Sequence, residues 1–133
     1  MRLFAMAVSW MVQSLLAAFF AFVGFMKATA PMADLARYHA WVAGLPEPVA
    51  RIVGVSEIAC AIALVMPIML RSRGSWAGWA AILLIVNQGI AIIFHAYRGD
   101  LAGALAQNLI LIALLLLVVG IRSILRRKAV SGL

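Results

Sequence analysis

Residues 101–121 read LAGALAQNLILIALLLLVVGI, a run without a single charged side chain. At about 1.5 Å of rise per residue it makes a helix about 30 Å long, the thickness of a bilayer's hydrocarbon core. Working outward from it, three more stretches have the same character. Residues 3–26 carry no charge, residues 52–70 carry only Glu57, and residues 74–97 hold His95 as their one group titrating near neutrality. The chain of 133 residues is 67% hydrophobic and 11% charged, with a mean hydropathy of +1.12. Soluble domains run at about 45–50% apolar and about 25% charged, and a chain this small buries only about two thirds of its unfolded surface. A soluble domain and a disordered one are both excluded. The reading is an all-α bundle of four transmembrane helices, one domain over 1–133, with spans at 3–27, 50–70, 74–97 and 101–121 and a basic tail at 122–133.

Glu57 does not disqualify the second span. A central charge costs about 2.5–3.5 kcal/mol on the insertion scale, whereas each Leu, Ile or Val contributes about −0.3 to −0.6. Nine such residues lie between Ile52 and Leu70. The first span is read as uncleaved, although Ala28-Thr29-Ala30 imitates a processing site: its apolar run far exceeds a signal peptide's 7–15 residues, and Lys27 and Pro31 flank the site.

The formal charge of +7 does not point to nucleic acid, because the basic residues sit at span ends, where they set orientation. Arg2, Arg71, Arg73, Arg122, Arg126, Arg127 and Lys128 collect on one side; Lys27, Arg37, Arg51 and Arg98 collect on the other, diluted by Asp34, Glu47 and Asp100. The bias predicts both termini in the cytoplasm. Tyr38, Trp41, Trp76 and Tyr97 fall at interface depth. The outward loop between spans 1 and 2 is the one long connection. Its Met32, Leu35, Tyr38, His39, Trp41 and Val42 follow a helical period and predict a short amphipathic helix on the outer surface. Small-residue pairs at Gly74/Gly78, Ala17/Ala21, Ala59/Ala63 and Ala102/Ala106 suit helix–helix packing in lipid.

Polar residues inside the membrane are the informative ones, since each is costly unless paired or facing a cavity. They are Gln13, Lys27, Arg51, Glu57, Asn87, Gln88, His95, Gln107 and Asn108, most of them in the outward half. Gln88 and His95, seven apart, share a helix face, as do Gly54 and Glu57, three apart. Arg51 and Glu57, six apart, point about 120° away from each other, so Lys27 on span 1 is the better partner for Glu57. Two readings stay open: a Lys27–Glu57 pair and amide hydrogen bonds that hold the bundle together, or a small polar pocket open to the outer leaflet in which Glu57 and His95 exchange protons or hydrogen-bond a ligand. Other chemistry is absent from the pattern. His39 and His95 have no metal-ligand spacing, and no Gly-rich phosphate-binding loop or G-x-S-x-G nucleophile elbow occurs. The single cysteine, Cys60, excludes an intrachain disulfide and reads as a small buried apolar residue.

Several stretches together resemble the DoxX-like family of small four-span membrane proteins. They are Phe22-Val-Gly-Phe-Met-Lys27, Arg51-Ile-Val-Gly-Val-Ser-Glu57 running on through Ile58 to Pro67, His95-Ala-Tyr-Arg-Gly-Asp100, and Gln107-Asn-Leu-Ile-Leu111. The resemblance covers nearly the whole chain and carries the family's positions to Gly24, Lys27, Gly54, Glu57, Pro67, His95 and Asn108. It implies a multi-pass protein of the bacterial inner membrane, linked to quinone-coupled oxidation of sulfur compounds, redox-stress complexes or protein maturation. The expected function is an accessory or quinone-interacting subunit of a membrane redox complex rather than a stand-alone enzyme. No catalytic residue is assigned. Lys27, Glu57, His95, Asn108, Gln107 and Arg51 are the ligand-binding or proton-handling candidates, and Gly24, Gly54 and Pro67 the structural ones. A quinone is the ligand this implies; no covalent cofactor and no metal is. The bilayer, a partner redox subunit and a second copy of the chain are the expected partners, and nucleic acid is not. The alternatives are a small proton-coupled transporter and a non-catalytic assembly factor. Small multidrug transporters also have four spans and one acid, but here the acid lies in span 2 and the charge bias opposes dual orientation.

Overall fold

A computed structural model describes residues 2–70 and 75–130 of the chain. Arg71, Arg73 and Gly74, used above in the charge count and a packing motif, lie outside the described residues, as do residues 131–133 of the tail and the side chains of Arg2 and Lys128. The described residues form five α-helices and a short 3₁₀ turn, with no strand among them. Helix α1 spans Arg2–Thr29, α2 Met32–Arg37, the 3₁₀ turn Trp41–Gly44, α3 Glu47–Met69, α4 Trp76–Arg98 and α5 Leu101–Val130. Helices α1, α3, α4 and α5 are each long and apolar enough to cross a membrane. This is a multi-pass membrane protein.

The helix ends differ from the expected spans for local reasons. Helix α3 starts at Glu47 because Pro46 sets the entry dihedral and Pro48 occupies the first turn, where its missing N–H costs nothing. Helix α5 continues past residue 121 to Val130. The basic run Arg122-Ser-Ile-Leu-Arg-Arg-Lys128 is made mostly of good helix formers, and no Gly or Pro interrupts it. The basic residues therefore sit on the last turns of α5, not on a separate tail. Pro67 is buried in the final turn of α3, close enough to the end that only one backbone bond is forgone.

Each long helix buries one stripe. On α3 it is Ala50, Gly54, Glu57, Ala61, Leu64 and Pro67. On α4 it is Ala77, Ala81, Leu84, Gln88, Ala91 and His95. Steps of three and four keep these residues on one face. The opposite faces carry exposed large apolar residues such as Phe22, Phe25, Val86, Ile93, Ile110 and Leu116, which only lipid would accept. The middle of the bundle is a packed apolar layer around Leu16, Phe20, Leu64, Leu84 and Leu115, with Cys60 half-buried against it. A second apolar cluster seats Leu35, Trp41 and Val42 of the long loop on Ala50 of α3 and Ala91 of α4.

The closest approach of helices is between α1 and α3. A Cβ on Gly24 would stand 2.7 Å from the Gly54 carbonyl oxygen, and one on Gly54 would stand 2.6 Å from both the Gly24 oxygen and the Ala28 nitrogen. Only glycine at both positions lets the backbones touch. Of the alanine pairs read as packing motifs, Ala17 and Ala21 pack in the apolar core, whereas Ala59, Ala102 and Ala106 are exposed.

Candidate functional site

The glycine crossing also sets the first polar group. Lys27 lies three residues after Gly24 and Glu57 three after Gly54, so each shares the face that meets the other helix. The helices run antiparallel, and helical side chains lean toward their own N-terminus. Lys27 thus leans down and Glu57 leans up, and they meet at the crossing. The Lys27 Nζ donates to Glu57 Oε1 at 2.6 Å, with both side chains buried. Asn87 on α4 donates to the same oxygen at 2.6 Å. Glu57 Oε2 is buried without a hydrogen-bond partner. The Trp41 ring covers the ammonium at 5.5 Å and packs on Phe94.

Arg51 sits one turn before Gly54 on the same face. That places it at the C-terminus of α1, where its guanidinium donates to Lys27 O at 2.9 Å and Ala30 O at 2.6 Å. Another of its nitrogens donates to Glu47 at 2.8 Å. A cation on the last carbonyls of a helix is favourable, so Arg51 serves as the cap of α1.

A cleft of about 910 Å³ opens between α1 and α5 beneath the long loop. Phe19, Phe20, Val23 and Leu111 form its apolar walls, and polar side chains gather at its loop end. Lys27, His95, Gln107 and Asn108 line it; Glu57 and Arg51 do not. Glu57 stands behind Lys27, and the cleft meets the cation of the pair. Asn108 is buried and donates back to Ala104 O at 2.9 Å, leaving its amide oxygen for other partners. Among the lining residues absent from the candidate list are Gln88, Trp41 and Asp100. Gln88 is only 4% exposed, and its amide has no hydrogen-bond partner among the described residues. Trp41 Nε1 is likewise buried and unpartnered. Leaving the enclosed indole N–H unsatisfied costs about 1–3 kcal/mol.

The turn between α4 and α5 closes the loop end. His95 Nδ1 lies 2.9 Å from Asp100 Oδ1. Arg98 binds Asp100 Oδ2 and donates to Ala40 O at 3.0 Å, tying this turn to the long loop. The hydrogen bond from His95, with help from Arg98, holds the Asp100 carboxyl below its usual range.

A second buried polar group lies at the other end of the bundle. Arg122 on α5 donates to Gln13 Oε1 at 2.9 Å, and the Gln13 amide donates to Ser9. Its Nε is buried and unpartnered. No cluster of His, Cys, Asp or Glu that could hold a metal occurs among the described residues.

Some of these placements had a signal in the sequence. Gln88 stands seven residues before His95, on its face, and the Arg-Gly-Asp turn at 98–100 brings an acid back toward His95. The Asn87–Glu57 bond and the seat of Trp41 had none, because the partners come from different helices.

The family model of the DoxX-like family matches residues 11–118. No curated protein and no solved structure matches the chain. With the match covering most of its length, the chain belongs to the DoxX-like family.

Proposed function

We propose that this member of the DoxX-like family is an accessory subunit of a membrane redox complex that holds the head of a quinone in the cleft between α1 and α5. The observation that carries the reading is the cleft itself: apolar walls reaching toward lipid, with the unpartnered Gln88 amide and the Lys27 cation at its polar end. Its volume falls within the roughly 300–1,000 Å³ of small-molecule sites. The charges around it are balanced in pairs, Lys27 with Glu57 and Arg98 with Asp100. That balance suits a neutral head with carbonyl acceptors better than an anionic one. Lys27, Gln88 and Asn108 would bind and orient the head, and Glu57 and Asn87 would hold Lys27 in place. The bacterial inner membrane, with both termini cytoplasmic and the long loop outward as an amphipathic cover, is the setting that the basic-residue bias supports.

The proton-coupled transporter is less well supported. The Leu16, Phe20, Leu64, Leu84 and Leu115 layer separates the Lys27 level from the Gln13 level, and a proton path would have to cross it. An assembly factor would need no cleft.

The test is solvent extraction and mass spectrometry of the protein purified in mild detergent. About one quinone per chain is expected, with Gln88→Leu and Lys27→Met losing most of it. Extraction of bulk phospholipid alone would end this reading in favour of assembly or transport.

A further inference from the structure

Gly99 turns the chain at the end of α4 with φ +78°. The Asp100 N–H thereby reaches back to His95 O at 3.1 Å, and its carboxylate comes to the His95 ring. A carboxylate only accepts, so the proton on the 2.9 Å bond belongs to His95 Nδ1. In the neutral ring that leaves Nε2 as the basic nitrogen. His95 is 7% exposed and lines the cleft, and its Nε2 has no hydrogen-bond partner among the described residues. The other oxygen of Asp100 is taken by Arg98, which also donates to the His39 and Ala40 carbonyls. The acid is therefore held from two sides.

We infer that His95 Nε2 is the acceptor for a ring hydroxyl of the cleft's ligand, with Asp100 and Arg98 as positioning residues, so that the site takes a phenolic or hydroquinone-type head. This rests on the reading of the cleft as a ligand site. The proton leaves the hydroxyl oxygen and bonds to Nε2, and no electron moves in the step. The Asp100 carboxylate stands beside the imidazolium so formed, and the Lys27 cation lines the same cleft opposite the turn. Tyr38 and His39 on the loop are the other titratable groups lining the cleft.

Nitrogen NMR of histidine-labelled protein in micelles reads the tautomer directly. The chain has two histidines, and His39→Gln assigns their signals. His95 should be protonated on Nδ1 and bare on Nε2. In Asp100→Asn the tautomer should move toward Nε2–H with helical circular dichroism unchanged, and Asp100→Glu should restore it in part. Decylhydroquinone should then bind at least tenfold more tightly than its dimethyl ether and shift the Nε2 signal, and His95→Phe should erase the difference. Nε2-protonated His95 in the free protein, or equal affinity for the two probes, would overturn this inference while leaving the cleft reading intact. Failure of both probes to bind, with no lipophile extracted, would overturn both.

Discussion

Helix α1 has two seams, and they are built in opposite ways. Against α3 it is closed: Gly24 and Gly54 let the backbones touch, and Lys27 and Asn87 both donate to Glu57 Oε1 beside the contact. Against α5 it stands open, and Gln88, with no hydrogen bond among the described residues, lines the cleft there. The same residue types therefore have different meanings. A polar group on a closed seam is spent on the fold, whereas one on an open seam is available to a ligand. Lys27 belongs to both, since it is paired on one side and lines the cleft on the other.

The largest effect expected is on the closed seam. Glu57→Leu leaves the buried Lys27 without a counter-charge, and removing one partner of a buried pair costs about 3–5 kcal/mol. Thermal unfolding in detergent should show it. The double variant Lys27→Met/Glu57→Leu should recover most of the loss, because both charges then go. A full-sized loss that persists in the double variant would mean that packing, and not charge, closes the seam.

The next comparison puts one substitution on both seams. Gly54→Ala drives a Cβ into the α1 backbone and should cost about 1–3 kcal/mol by overpacking. Gly103→Ala, on the open seam, meets nothing within 4 Å and should stabilise α5 by about 0.4–1 kcal/mol. Equal melting temperatures for the two variants would erase the distinction between the seams.

The smallest effect concerns the turn at the cleft's mouth. Asp100 has its carboxyl pushed down by the hydrogen bond from His95 and by Arg98. A depressed acid contributes stability that is full above its unfolded value and fades as the pH drops through the folded one. The wild-type melting temperature should thus exceed that of Asp100→Asn at neutral pH, with the gap narrowing in acid below the usual carboxylate range. A gap independent of pH would assign the effect to shape alone.

Glu57 and Lys27 show how far the sequence reached. The six-residue spacing that turns Arg51 about 120° away from Glu57 was enough to make Lys27 the better partner, because helical geometry is local. Of the two readings left open for Glu57, a bundle-holding pair or a pocket group, the structure shows the pair with Lys27 and puts Lys27 on the cleft side; which end of an ion pair meets a cavity depends on how far apart α1 and α5 stand. Arg51 looked like a site residue for its depth alone, and its work as the cap of α1 depends on where another helix ends. Asp100 was counted only as a diluting charge, though one left-handed glycine brings it to His95.

By itself the sequence determined what solvent the chain accepts. Apolar runs of membrane length, interrupted by few charges, specify four spanning helices, because an unpaired backbone and an unpaired charge are both costly in lipid. It also put Gly54 with Glu57 and Gln88 with His95 on shared faces, since that follows from spacings of three and seven. Only the tertiary structure decided which seam closes and which stays open. Lipid exerts no hydrophobic pressure between helices, so the choice rests on close backbone contact at Gly24 and Gly54, where an added Cβ would stand 2.6–2.7 Å from the other helix, and that contact is made by residues that lie far apart along the chain.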